Sequence, residues 1–199
     1  MINEVVNLKN GLSLVYGEGA TGKTTLALML AYEHSKFSKV IFIDTENGFN
    51  FDRFKQISQE NYEKCLNNIL LIKVKDFDDQ VKAIKNLAEI KNVSLIIIDS
   101  LGMYYRLELK KDVKNTNNNM GGILSVLRTL NKNGINIFIT NQVYNNFNNN
   151  KLEVVGGNMV RTFCKSIMRL EKNPRKIVVE KPSNLEWFFE IKDQGIVLR

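Results

Sequence analysis

The chain has 199 residues, 44% hydrophobic and 25% charged, a balance that suits one folded domain with a full-sized core rather than a disordered or fibrous protein. No apolar run approaches the roughly 20 residues a bilayer span needs, and the start, Met1-Ile2-Asn3-Glu4, lacks the basic and apolar regions of a secretory leader. The formal charge of +7 permits a polyanionic partner without requiring one, while Cys65 and Cys164, far apart and with only His34 as an imidazole, speak against a structural zinc site or disulfide framework and fit a reducing cytoplasm.

The first apolar run, Leu12–Tyr16, reads as a strand. It feeds directly into Gly17-Glu18-Gly19-Ala20-Thr21-Gly22-Lys23-Thr24, whose spacing is G-x-x-x-x-G-K-[ST], and a helix-length segment follows at Thr24–His34. Strand, loop and helix in that order are the context a phosphate-binding loop requires, which weighs against a chance Gly-rich turn. The glycines let backbone N–H groups turn inward around a polyphosphate, and the helix N-terminus adds partial positive charge. Gly17 through Thr25 are therefore expected to cradle a nucleoside triphosphate, with Lys23 reaching the β- and γ-phosphates and the Thr24 hydroxyl holding Mg²⁺.

The second strand, Val40–Asp44, runs into Asp44-Thr45-Glu46. A carboxylate at a strand's carboxy end faces the crevice where open α/β sheets bind ligands. Glu46 could polarise an attacking water, or both acids could cap the segment that follows. A third strand spans Ile69–Val74, and Val81, Ile84, Leu87, Ala88 and Ile90 recur at helical spacing within Phe77–Ile90. The fourth strand, Leu95–Asp99, ends in an acid, where phosphate-loop proteins carry the second carboxylate serving Mg²⁺.

From Met103 to about Asn119 the chain carries Arg106, Lys110, Lys111 and Lys114 against Glu108 and Asp112; the Asn117–Asn119 run reads as loop, with a helix expected from about Met120 to Asn131. The fifth strand, Ile135–Thr140, leads to Thr140-Asn141-Gln142, and the Gln142 amide could sense a γ-phosphate or only tie down a loop. Tyr144, Phe147 and Lys151 then lie among many Asn residues. Aromatics and cations in polar loops suit base stacking and phosphate contact, although locally packed loops have the same composition.

After Phe163 the pattern becomes short strands at Ser166–Leu170, Lys176–Lys181, Trp187–Ile191 and Ile196–Leu198, separated by turn signals. Between Arg161 and Lys181 seven basic residues face only Glu171 and Glu180, which reads equally as a DNA-facing surface or a solvated strand face. The expected fold is α/β: a phosphate-loop NTPase core over residues 1–199, with a mostly parallel twisted sheet, flanking helices and C-terminal antiparallel hairpins.

Together these residues resemble the RecA-type recombinase core, and in particular its archaeal RadA and RadB branches. Asp44-Thr45-Glu46-Asn47-Gly48-Phe49 is similar to the family's D-T-E-G-[TN]-F, in which the Glu activates water. Arg53 falls where the family has an Arg that stacks on adenine; Thr140-Asn141-Gln142-Val143 and Gly156-Gly157-Asn158 resemble the ends of its second DNA loop. Tyr105-Arg106-Leu107-Glu108-Leu109 and Gln142-Val143-Tyr144 look more like RadB than RadA, as does a start with no room for a helix-hairpin-helix domain.

The resemblance implies ATP and Mg²⁺ as ligands, Glu46, Lys23 and Gln142 as catalytic residues, and Thr24 and Asp99 at the metal. It also implies contact with single-stranded or branched DNA through Arg106, Lys110, Lys111, Tyr144, Phe147, Lys151 and Arg161. Weak ATP hydrolysis and little strand exchange follow from it, in DNA repair and recombination. A RadA-type recombinase or a structure-specific nuclease is the expected protein partner, and self-association is open. Two departures stand out: no F-x-x-A polymerisation motif precedes the core, and Glu180-Lys181-Pro182-Ser183 replaces the branch's K-H-R-S, losing an Arg. The rival readings are a nucleotide-switched module that binds a recombinase or nuclease, and a small-molecule kinase, against which the Asp-Thr-Glu and Thr-Asn-Gln strand ends argue.

Overall fold

The structure is a computed structural model that describes Val6, Leu8 and residues 11–146 and 151–199. Its strands are β1 (Leu12–Tyr16), β2 (Lys39–Asp44), β3 (Ile69–Lys73), β4 (Val93–Asp99), β5 (Asn136–Asn141), β6 (Val143–Asn146), β7 (Lys151–Val154), β8 (Cys164–Lys172), β9 (Arg175–Lys181), β10 (Leu185–Lys192) and β11 (Gly195–Leu198). Its helices are α1 (Lys23–Ser35), α2 (Phe51–Ser58), α3 (Tyr62–Leu66), α4 (Phe77–Lys85), α5 (Gly102–Glu108), α6 (Val113–Lys132) and α7 (Gly157–Phe163).

One sheet runs in the order β11-β10-β9-β8-β1-β5-β4-β2-β3. From β8 to β3 every pairing is parallel, whereas β8, β9, β10 and β11 pair antiparallel. The parallel strands are continuous apolar runs because helices cover both their faces. Leu12, Leu14 and Tyr16 of β1 join a core with α4, α5, α6 and α7, while Val15 joins a second with α1, α2 and α3. The second core also takes Met168, Leu170, Ile177, Val179, Phe189 and Ile196 from the late strands. Among the described residues no helix is long and apolar enough to cross a membrane.

Three helices start on a side-chain cap: Asn50 accepts from Arg53 N at 2.8 Å, Asp76 from Asp79 N at 2.8 Å and Asp112 from Asn115 N at 3.0 Å. Each satisfies an N–H group that the first helical turn leaves without a partner. The Asp112 cap corrects the loop expected at Asn117–Asn119. The Asn run lies inside α6, because Thr116, Met120, Ile123, Leu124, Leu127 and Leu130 form one buried helical stripe that outweighs the modest helix propensity of Asn. The stretch expected to be a second polar loop contains a hairpin, with Val143 opposite Val154 and Tyr144 opposite Glu153.

The cations between Arg161 and Lys181 are largely matched by acids. Arg161 and Arg169 both approach Glu180, at 2.9 and 3.4 Å, and Arg169 also pairs with Glu171. Lys176 lies 3.5 Å from Glu171 and 3.1 Å from Glu186 on the next strand, and Lys172 lies 3.5 Å from Glu18. A count along the segment misses Glu18 and Glu186, which the loop after β1 and strand pairing bring alongside.

Gly121 and Gly122 sit inside α6, and a Cβ added at either would meet nothing within 4 Å. Gly121→Ala and Gly122→Ala are each expected to stabilise the protein by ~0.5–1 kcal/mol by restricting the unfolded chain. Thermal melting checks this: each should raise Tm by about 1–4 °C, and a fall would mean the positions contact something else.

Candidate functional site

The site forms where parallel strands end at a common level. Tyr16 at the end of β1 pairs with Asn141 at the end of β5, and Asp44 of β2 pairs with Asp99 of β4. The loop from Gly17 to Gly22 leaves β1 and turns into α1. Gly22 caps that helix at φ 107°, a left-handed conformation in which a side chain would be strained. The helix start has no side-chain cap and no acid in its first turn, so its N–H groups suit an outside anion.

Thr21 is buried, and its hydroxyl donates to the Glu18 carbonyl at 2.9 Å, folding the loop on itself. Lys23 Nζ donates to the carbonyls of Gly17 and Glu18 at 2.9 and 2.7 Å. Burial lowers the Lys23 pKa, against the opposing pull of Glu46, Asp99 and Glu18. From the outer side, Arg175 donates to the Ala20 carbonyl at 3.1 Å, so the β8–β9 turn braces the loop.

The two readings left open for the second strand's acids divide between them. Asp44 is buried: its Oδ1 accepts from the backbone N–H groups of Glu46 (3.2 Å) and Gly48 (2.9 Å), and its Oδ2 from that of Phe49 (3.0 Å). It organises the loop. The Thr45 hydroxyl accepts from Ser100 N at 2.8 Å and donates to Ser100 O at 2.9 Å, fastening that loop to the end of β4. Glu46 is left facing the cleft, where its Oε1 accepts from the Ser100 hydroxyl and from Gln142 Nε2 at 2.9 Å.

Asp99 is buried, and its Oδ1 accepts from the Thr140 hydroxyl. Oδ2 is buried without a hydrogen-bond partner among the described residues. Burial pushes the Asp99 pKa up, and Glu46 and Asp44 add to this, while the Thr140 and Thr24 hydroxyls oppose it. A Cβ at Gly48 would lie 3.3 Å from Asp99 Oδ2 and 3.6 Å from Thr24 Oγ1, so both oxygens converge on one small space. A hydroxyl and one carboxylate oxygen suit a hard cation that draws its remaining ligands from phosphate and water, as Mg²⁺ does. No group of three or more His, Cys, Asp or Glu residues able to hold a metal occurs among the described residues.

These groups line a cleft of ≈ 450 Å³ that takes in Gly17 to Ala20, Gly22 to Thr25, Glu46, Asp99, Gln142, Val143 and Ile191. Arg53 does not line it; its guanidinium donates to the carbonyls of Lys192 and Asp193 and to Gln56. Ile191 does line it and has no counterpart among the sequence-derived residues. Thr140 and Asn141, read in the sequence only as part of a strand-end motif, and Ser100 take positional roles. Asn141 Nδ2 donates to Val155 O at 2.8 Å and its Oδ1 accepts from Gln142 N at 2.9 Å, pinning the base of the β6–β7 hairpin beside the cleft.

The residues expected at DNA scatter. Arg106 and Lys110 are exposed along and just beyond α5, and Lys111 pairs with Glu108 at 2.9 Å. Tyr144 is exposed on the hairpin with its hydroxyl donating to Glu153 at 3.1 Å. Phe147 and the side chain of Lys151 lie outside the described residues. Arg161 is half-buried between Glu180 and Tyr16, whose hydroxyl donates to Glu180 at 2.5 Å and whose pKa burial pushes up to about 12.

A family model described as Rad51 matches residues 8–197. A DNA repair and recombination protein RadB of Methanococcoides burtonii is 38% identical over 167 residues, covering 79% of this chain and 72% of the relative. One from Methanococcus maripaludis is 36% identical over 193 residues, covering 91% and 88%. A crystal structure of the RadB recombinase superposes with a TM-score of 0.81 at 28% identity, covering 98% of this chain and 94% of that one.

Asp99→Asn separates the cost of the site from its use. A buried carboxyl with a raised pKa weakens folding above the ordinary aspartate range and not below it, so the neutral amide should stabilise the protein at pH 7 by ~1 kcal/mol, or about 2–4 °C in Tm. The same variant is expected to lose the Mg²⁺ dependence of nucleotide binding. A lowered Tm with nucleotide binding unchanged would contradict both halves.

Proposed function

The chain belongs to the Rad51 family and, within it, to the RadB DNA repair and recombination proteins, and from that premise we propose that it is an ATP-binding accessory protein that contacts DNA and hydrolyses ATP slowly. The observation that carries this reading is Glu46, held by Ser100 and Gln142 at the edge of a cleft that also contains Lys23, Thr24 and Asp99. A carboxylate with two neutral donors on one oxygen keeps its other oxygen for a water molecule.

In this reading the loop Gly17–Thr25 binds the triphosphate through backbone N–H groups, and Lys23 gives up the carbonyls of Gly17 and Glu18 for phosphate oxygens. Thr24 and Asp99 would hold Mg²⁺, which neutralises charge on the phosphates when bound. Glu46 orients water for in-line attack on the γ-phosphorus, and the bond to the bridging oxygen of the leaving diphosphate breaks. Residues 1–199 act as one RecA-like unit.

Hydrolysis is slow because the late strands carry Glu180-Lys181-Pro182-Ser183, with no arginine at that place. A trans-acting arginine is worth about 10³–10⁵ in rate. Gln142 touches Glu46 at one end and precedes β6 directly, so loss of the γ-phosphate would be felt at the hairpin. DNA contact falls to that hairpin, through Tyr144, Phe147 and Lys151, and to Arg106, Lys110 and Lys111. Arg161 would have to exchange Glu180 for a phosphate, and charge-assisted bonds of about 1.5–3 kcal/mol stand against that exchange. A RadA-type recombinase or a structure-specific nuclease is the protein partner most in keeping with this role.

The test is ATP hydrolysis with and without single-stranded DNA, beside a DNA titration in the same buffer. DNA binding with slow, weakly stimulated turnover, abolished by Glu46→Gln without loss of ATP binding, is the expected result. Absence of DNA binding would leave the nucleotide-switched partner module, and strong stimulation would mean that another cation completes the site. Lys23→Ala should abolish nucleotide binding; retained ATP affinity would remove the loop from the account.

A further inference from the structure

Gln80 on α4 is wholly buried, on a stripe whose other members are Phe77, Val81 and Ile84. Its Nε2 donates to the Leu101 carbonyl at 3.2 Å, and its Oε1 is buried with no hydrogen-bond partner among the described residues. An amide that makes one bond with two buried polar ends serves an apolar core less well than an aliphatic side chain of the same length. Core packing therefore does not account for it.

The carbonyl that Gln80 holds belongs to the turn between β4 and α5, which other elements also grip. Leu101 N–H donates to the Thr140 carbonyl at 3.0 Å, and the Thr45 hydroxyl takes both backbone groups of Ser100. A Cβ at Gly102 would lie 2.3 Å from Asn141 Oδ1, so the turn also lies close against the end of β5. Neighbouring strand ends thus fix Ser100 and Leu101 within the sheet, and Gln80 fixes them from the helix layer. What this turn presents to the cleft is the Ser100 hydroxyl, which donates to Glu46.

We propose that Gln80 is a positioning residue for hydrolysis: by holding the Leu101 carbonyl it sets the Ser100 hydroxyl, and through it the Glu46 carboxylate, against the attacking water. This rests on the hydrolysis reading above and adds a residue outside the cleft lining on which turnover depends. Glu46 must meet a water in line with the γ-phosphorus, and a small displacement of such a group costs rate before it costs affinity. The triphosphate is held elsewhere in that reading, by Gly17–Thr25, so binding and turnover should separate.

The experiment measures ATP affinity, single-turnover hydrolysis with Mg²⁺, and thermal melting for the full chain and for Gln80→Met and Gln80→Glu. Methionine keeps the length and loses the donor. Gln80→Met should bind ATP within about twofold of the wild type and hydrolyse it at least about tenfold more slowly. Its Tm should stay within about 2 °C of the wild type, because the lost bond takes an unpaired oxygen with it. Gln80→Glu adds a readout that packing alone would not move. As the neutral acid its O–H donates to the Leu101 carbonyl; as the anion it only accepts, which sets acceptor against acceptor. Its rate relative to the wild type should be highest near about pH 5.5 and fall towards about pH 8.5, the range over which a buried glutamate ionises. Wild-type turnover in Gln80→Met, loss of affinity equal to the loss of rate, or a flat pH ratio overturns the positioning role and leaves the hydrolysis reading standing. A large fall in Tm in both variants overturns it too, and makes Gln80 a residue of the core. No hydrolysis by the wild type overturns both.

Discussion

The parallel register of β1, β5, β4 and β2 is the constraint on which the site depends. Val15 lies opposite Thr140, Ile98 opposite Ile139 and Asp44 opposite Asp99, so the loops that leave these strands emerge side by side. A slip of one residue in any pair would turn its side chains to the other face. Asp99 would then leave Thr140, and Glu46 would leave Ser100 and Gln142. The buried runs Ile41-Phe42-Ile43 and Ile96-Ile97-Ile98 prevent that slip, because each strand commits alternate residues to two different cores. Core packing and site geometry are thus one requirement.

The same arrangement leaves the protein with groups that do not serve its stability. Asp99 keeps one buried oxygen without a hydrogen bond among the described residues and stands near Asp44 and Glu46. Burial, with Asp44 and Glu46 nearby, disfavours charge on Asp99, and this is the kind of local conflict expected where a ligand completes the structure. Stability is recovered elsewhere, in the Asx caps of α2, α4 and α6 and in the apolar stripe of α6.

The buried strands were legible because burial on both faces writes them as unbroken apolar runs; Leu12–Tyr16 and Ile69 onward fall where the sequence puts them. The turn from β1 through Gly17–Gly22 into α1 was legible from its spacing. Asn115–Asn119 hid the first turns of α6, whose buried partners Thr116 and Met120 carry the helical period only when read with the residues that follow. The hairpin β6–β7 was hidden because Asn141 and Val155, not strand propensity, pin its base. Glu171 and Glu180 stand inside the Arg161–Lys181 segment, but Glu18 and Glu186, which pair with Lys172 and Lys176, come from other elements, so no window along the segment contains all four acids. Arg53 could be aligned by resemblance, but its bonds to the turn at Lys192–Asp193 depend on tertiary contact.

The central claim is that strand ends in register build one Mg²⁺-dependent ATP site. Calorimetric titration of the protein with ATP, in the presence and absence of Mg²⁺, tests it most directly. The account predicts one ATP per chain, with affinity falling at least about tenfold when Mg²⁺ is withheld, as expected when Asp99 and Thr24 lose the cation that links them to phosphate. Binding that is indifferent to Mg²⁺, or no binding at all, would contradict it.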